Sequence, residues 1–339
     1  MEDINKGGNA VATLDGSVKL LSICILSYNQ AHEIERLLNC LIPQYTEEIE
    51  IVVKDDSTND ETELLVNRFT KVLPIRYYRG AKEGIDRTVI FLTQKALGQF
   101  VWWMGDDTIE PGGVAAVVEV IKAKRSVNFI WANYQLFNTE LFGIELEAKE
   151  CEILKDQLLV LAGAGLGFIS STIFNRNIGM KAIATTEEYV GTLFVNLYIV
   201  LYVISQPGGS YYLKGPIVIC HPATSEEVKS TYVGNSGEIN NPAFQTFGIS
   251  FASIVNNFSD SFDPKIIRKT LRRSFGQTWR GVLVGTIGGW DTTKGKKLML
   301  IRNFYMYPEC WIALVLFMLP VNTLKSLYRI YKSVRIRIN

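Results

Sequence analysis

Between Leu20 and Met104 short apolar segments run again and again into polar clusters, with helically spaced apolar residues in between. This alternation constrains the fold more than any other feature of the chain. "LLSICILS" (20–27) gives way to Tyr28-Asn29-Gln30, and Ile34, Leu37, Leu38 and Leu41 then predict a helix over 32–42. Glu50–Val53 runs into "KDDSTNDET" and a helix holding Leu64, Leu65 and Phe69. Ile75–Tyr78 leads to "RGAKEGIDRT" and a helix through Ile90 to Leu97, and "VWWM" (101–104) ends in "GDDTIEPGG". Strands alternating with helices imply right-handed crossovers and a mostly parallel sheet with flanking helices, a Rossmann-like α/β class. Such sheets bind ligands beyond the carboxyl ends of their strands. All four polar clusters fall there: Ser27-Tyr28-Asn29, Asp55-Asp56, residues 79–87 and Asp106-Asp107.

Asp106 and Asp107 repel one another unless something positive lies between them. A divalent cation carrying a phosphorylated substrate meets that need, and a solvated, capped turn is the plainer alternative. After a further strand, Phe129 to Tyr134, the rhythm changes. Cys151–Leu161 reads as helix, and "GAGLGFISSTIFNRN" as a glycine-rich loop entering a strand. Thr185 or Thr186 reads as the cap of a helix with Glu187 and Glu188 in its first turn. The strand-like run Ile217–Cys220 precedes His221, and Tyr232–Pro264 is long enough for a lid.

The stretches "LSICILSYNQAHEIERLLNCL", "EIVVKDDSTNDET" and "FVWWMGDDTIEPGG" resemble the three N-terminal signatures of family 2 glycosyltransferases, whose fold is GT-A. The likeness is specific over roughly residues 19–135 and lies nearest to bacterial transferases that add deoxysugars to lipid-linked O-antigen. It implies that Asp55 and Asp56 hold the nucleotide base and ribose of a nucleotide-sugar donor, with Ser27, Tyr28 and Asn29 beside them. Gly84, Asp86 and Arg87 match the loop that approaches the donor. In the metal-binding DxD region Met104 replaces the first aspartate, which leaves Asp106 as the expected ligand of Mg²⁺ or Mn²⁺ and Asp107 as its neighbour. Thr186-Glu187-Glu188 matches the motif whose last acid is the base of inverting enzymes, so the resemblance implies Glu188 as catalytic base and Glu187 as the fallback. His221 stands where some relatives set a histidine against the metal or diphosphate. Each has a plainer alternative: two glutamates favoured at a helix N-terminus, and a structural histidine.

The net charge of the 339 residues is +1, so no global field argues for nucleic acid. Five scattered cysteines without a CxxC pair suggest reduced thiols rather than disulfides or a zinc site. The polar stretch Met1–Ser17 predicts a flexible tail rather than a signal peptide. Hydrophobic content is 47%, and the apolar run "CWIALVLFMLP" (310–320) has about half the length of a spanning helix. Behind it Val321, Leu324, Leu327, Tyr328, Tyr331, Val334 and Ile338 recur at helical spacing beside Lys325, Arg329 and Lys332. Such a helix predicts monotopic attachment to an anionic membrane surface. The expected organisation is a tail over 1–18, a GT-A catalytic domain over 19–225 (nucleotide-sugar half 19–135, acceptor half 136–225), a loop or lid over 226–263 and a helical membrane-associating region over 264–339. The expected activity is inverting transfer of a sugar to a lipid-linked saccharide at the cytoplasmic face of the bacterial inner membrane. A catalytically degenerate adaptor, for which Met104 speaks, and a nucleotidyltransferase acting on sugar phosphates are the alternatives.

Overall fold

Four parallel strands form one half of a single sheet in the computed structural model. The structure describes residues 19–222 apart from 142, 145 and 147–149, together with 245–287, 298, 301–327 and 329. The strands β1 (Leu21–Ser27), β2 (Ile49–Asp55), β3 (Ile75–Arg79) and β4 (Phe100–Met104) lie in the order β3-β2-β1-β4. Helices α1 (Ala31–Leu41), α2 (Glu61–Phe69) and α3 (Ile85–Lys95) connect them. β1 and β2 are buried along their whole length, so their apolar residues form runs instead of alternating. α1 presents Ile34, Leu37, Leu38 and Leu41, all fully buried, to the same core.

The parallel register stops at β4. β8 (Thr172–Asn175) pairs antiparallel with both β4 and β6 (Val127–Leu136). β9 (Gly209–Cys220) runs parallel to β6, and the short β5 (Thr108–Ile109) and β7 (Glu150–Ile153) lie antiparallel to β9. The sheet is therefore mixed, with the parallel half carrying the polar clusters predicted from the sequence. Helix α4 (Gly113–Ala123) separates β5 from β6, and α5 (Lys155–Ala162) and α6 (Arg176–Ile183) follow β7 and β8.

Three elements differ from the sequence reading. Cys151 lies in a strand, because Glu150–Ile153 alternates and pairs with Ser210–Leu213 of β9; the helix begins only at Lys155. Glu187 and Glu188 open no long helix. They occupy a single 3₁₀ turn, Glu187–Tyr189, and α7 (Val195–Ser205) starts after Gly191 and Leu193, whose φ of +92° and +62° break the helical path. The segment read as a loop over 232–264 lies partly outside the described residues, and its remainder is helical: a π turn at Gln245–Ser250 and α8 (Phe251–Asn257).

The chain divides into two units, Met1–Ala223 and Thr224–Asn339. In the second, α9 (Pro264–Ile287) and α10 (Pro308–Phe317) pack around Phe275 and Phe304, whose rings are 4.8 Å apart. Among the described residues no single helix is long and apolar enough to cross a membrane. Pro308–Leu316 and Val321–Leu327 would suffice together by length and composition, but they meet at a bend of 120°.

Candidate active site

The carboxyl ends of β1 and β2 build a floor of buried charge. Asp55 is completely buried, and its carboxylate accepts hydrogen bonds from the Tyr77 hydroxyl (2.6 Å), the Ser57 hydroxyl (2.5 Å) and the Ser57 N–H (3.0 Å). Burial and the neighbouring Asp55 push the Tyr77 hydroxyl pKa upward, so the phenol remains a donor. Asp56 receives Lys54 Nζ at 2.5 Å and the Thr88 hydroxyl at 3.0 Å, and both side chains of the Lys54–Asp56 pair are 5% exposed. Gly80 closes over this pair: a Cβ there would stand 2.4 Å from Lys54 Nζ. These partners fix the orientation of both acids at the carboxyl end of β2. Ser27 is likewise buried, 3.4 Å from the Thr62 hydroxyl.

Above the floor, Asn29 adopts φ +55° and clips two loops together: its N–H donates to the Ser57 hydroxyl (2.8 Å), and its Oδ1 accepts the Thr58 N–H (2.9 Å). Tyr28 beside it is half-buried, with Lys82 Nζ 4.0 Å from its ring centroid. Positive φ at Asn29 suits an asparagine better than a branched side chain.

At the end of β4 the two neighbouring aspartates separate in role. Asp107 is buried and accepts the His221 N–H at 3.0 Å, while Asp106 is half-exposed, its carbonyl accepting Arg36 Nη2 at 2.5 Å. Met104 points into the core, so the first position of the expected DxD contributes no ligand. His221 Nε2 lies 3.0 Å from the Thr108 hydroxyl, and its ring packs on Phe137 at 4.5 Å. Burial, aided by Arg36, lowers the His221 pKa and favours the neutral imidazole. The Cys220 thiol is pushed up to about 12 by burial and by Asp107 and Asp106, so it stays protonated. Beside Thr108 and His221 opens a cleft of about 700 Å³ whose walls include Arg36, Glu110, Phe137 and Asn138. Among the described residues no three His, Cys, Asp or Glu side chains form a metal cluster. That donor set fits a cation arriving on a diphosphate and held by one or two carboxylates, and it does not fit one caged by protein alone.

The third part of the site is the turn bearing Glu187 and Glu188, both exposed. Arg87 grips Glu187 with both terminal nitrogens, at 2.8 and 2.5 Å, and lowers its pKa. Glu188 remains outside that pair; with burial it pushes the neighbouring Tyr189 hydroxyl up to about 12. Asp86, in the loop that the resemblance sets near the donor, is buried. Its carboxylate accepts the N–H groups of Gly191 (2.8 Å), Leu193 (2.9 Å) and Val195 (3.1 Å), supplying the start of α7 with a cap from across the fold. Burial outweighs those bonds and leaves the Asp86 pKa raised. Gly84, at φ +86°, sets the entry into α3 that carries both residues. Sequence reasoning missed Arg36, Thr88 and Thr108, whose partners lie 70, 32 and 113 positions away. Lys54 left a signal, a cation ending an apolar strand beside two acids.

Residues 22–149 match the model of the family described as Glycosyl transferase family 2. The chain is 26% identical over 230 residues to the abequosyltransferase RfbV of Salmonella typhimurium, covering 59% of this chain and 66% of that one. It is 27% identical over 150 residues to an Escherichia coli enzyme named UDP-Glc:alpha-D-GlcNAc-diphosphoundecaprenol beta-1,3-glucosyltransferase WfgD, covering 43% and 57%. The matches thus span less than two thirds of either relative. The fold is similar to that of S. aureus TarS 1-349, solved in complex with UDP-GlcNAc: TM-score 0.62, 16% identity, 84% of this chain and 79% of that one.

Proposed function

We propose that this chain, which carries a glycosyl transferase family 2 domain over residues 22–149, moves a sugar with inversion from a nucleotide-sugar donor to a lipid-linked saccharide in bacterial surface polysaccharide synthesis. The names of its relatives, an abequosyltransferase and a diphosphoundecaprenol glucosyltransferase, support that class of donor and acceptor.

The observation that carries the reading is the Arg87–Glu187 pair together with the Asp86 cap. They tie the turn bearing Glu188 to the helix that enters from the donor side. With Glu187 committed to Arg87, Glu188 is the carboxylate left to take a proton. It accepts the proton of the acceptor hydroxyl as the oxygen attacks the anomeric carbon opposite the departing diphosphate. Tyr28 and the loop over 80–87 receive the nucleoside, and Lys54, Asp55 and Asp56 keep those loops in register from below. Asp106 would hold a divalent cation, with Asp107 and His221 fixing the backbone beside it. When bound, that cation neutralises charge on the leaving phosphates. The cleft beside His221, with Phe137 at its edge, has room for a saccharide unit. The second unit brings the enzyme to a membrane surface, where a lipid-linked acceptor resides.

Glu188→Gln preserves size and polarity but cannot accept the proton. Turnover should fall by about 10²–10⁴ with little change in donor affinity. The same loss from Glu187→Gln, with Glu188→Gln active, would reverse the assignment. Activity in both variants would remove the base from this turn.

A further inference from the structure

The first turns of α9 place Lys265, Arg268, Lys269, Arg272 and Arg273 at positions i, i+3, i+4, i+7 and i+8, one face of a helix, and all five are exposed. The opposite face, Ile267, Thr270, Leu271, Ser274 and Phe275, is buried. The basic face forms a groove of about 770 Å³ with Met306, Tyr307 and Pro308. Tyr307 fixes the far wall by donating from its hydroxyl to the Arg268 carbonyl at 3.0 Å. Glu309 is in ion-pair contact with this face, at 2.8 Å from Arg272. Five exposed cations on one helix face give the groove its basic character.

An apolar surface adjoins it. Met306 is 61% exposed, and along α10 Trp311, Ile312, Val315 and the following Met318 are 52%, 60%, 62% and 79% exposed. Cys310 and Ala313, on the other face of α10, are buried. So many large apolar side chains facing water on one helix, beside a cationic groove, match the two demands of an interface between headgroups and acyl chains.

We infer that the basic face of α9 is a binding site for the phosphates of anionic phospholipid headgroups, and that the exposed face of α10 enters the acyl boundary next to it. This site lies upstream of the amphipathic segment that the sequence marked over 321–338 and adds five cations of its own. The inference deepens the membrane-surface part of the proposed function and is independent of the transfer chemistry. The groove holds the chain on the leaflet through charge, and α10 resists its removal by salt.

The test is co-sedimentation of the full chain with vesicles of phosphatidylcholine alone and with about one third phosphatidylglycerol. Arg268→Gln/Lys269→Gln/Arg273→Gln leaves the Arg272–Glu309 pair intact. It should weaken binding to the anionic vesicles by about 10²-fold, at roughly fivefold per cation, with little effect on the neutral ones. Arg268→Lys/Arg273→Lys should retain binding, which separates charge from folding. Donor turnover on a soluble acceptor, measured on the same proteins, should be unchanged; its loss in wild type would strike the proposed chemistry and leave this inference standing. Wild-type affinity in the triple variant, or a wild type that ignores anionic vesicles, overturns the inference. So does displacement by inorganic phosphate at an ionic strength where chloride has no effect, because the groove would then take free phosphate rather than a bilayer.

Discussion

Asp86→Ala removes a cap that no neighbouring residue in the chain can replace. Three N–H groups lose their acceptor, those of Gly191, Leu193 and Val195. Gly191 is exposed and rehydrates at little cost, whereas Val195 is fully buried and Leu193 partly so. Two donors left without partners cost about 1–3 kcal/mol each, so the variant should lose about 2–6 kcal/mol of stability. Asp86→Asn keeps one acceptor oxygen but turns an amide N–H₂ towards one of the donors, and should lose about 1–3 kcal/mol. The proposed base, Glu188, stands only three residues before Gly191, in a turn whose far end is the capped segment, so the loss should extend to turnover. Displacement of a reacting group by about 1 Å costs on the order of 10² in rate, so turnover in Asp86→Asn should fall by that factor while the KM for donor changes little. Urea denaturation and initial rates on the same preparation measure both. If Asp86→Ala stays within about 0.5 kcal/mol of wild type, as an ordinary surface substitution does, and turns over normally, Asp86 is not the organiser of this turn.

Asp56→Ala leaves Lys54 buried without its partner and should destabilise by about 3–5 kcal/mol; adding Lys54→Met should recover part of the loss, and a denaturation midpoint unmoved by the second change would contradict the pairing. Asp106→Ala should abolish the cation-dependent part of nucleoside diphosphate binding in calorimetry, whereas equal binding with and without Mg²⁺ in both proteins would take Asp106 out of that role. His221 has its folded pKa below the free value of 6.5, so the unfolded chain takes up the proton first. The stability this contributes is complete above about pH 6.5 and is lost as the pH falls from there towards the folded pKa. The melting temperature of wild type should accordingly drop more steeply over that window than that of His221→Gln, and parallel curves would show that the ring is not desolvated.

Much of the first unit was legible because its signals are local. Apolar runs of strand length ending in polar clusters announced β1 to β4, and the clusters at Ser27–Asn29, Asp55-Asp56, 79–87 and Asp106-Asp107 do lie at their carboxyl ends. The quoted signatures fall within or beside residues 22–149, which match the glycosyl transferase family 2 model, and the fold is similar to that of TarS. Where the reading went astray, a distant partner decided the outcome. Glu187 and Glu188 have the local pattern of a capped helix start, yet α7 begins at Val195, where a carboxylate 109 positions away receives its first N–H groups. Cys151 looked helical because its neighbours on β9 were invisible in the sequence.

The sequence by itself determined the order of strands and helices in the parallel half and which acids gather at its edge, since hydrophobic period and turn residues act within a few positions. It could not divide those acids by task. Tertiary structure alone buried Asp55 against Tyr77 and Asp56 against Lys54, set Asp107 on the His221 backbone while Asp106 kept its partial exposure, and gave Glu187 to Arg87. A carboxylate's role depends on its exposure and on the donors within about 3 Å of it, and in this chain most of those donors come from segments that only the closed sheet brings together.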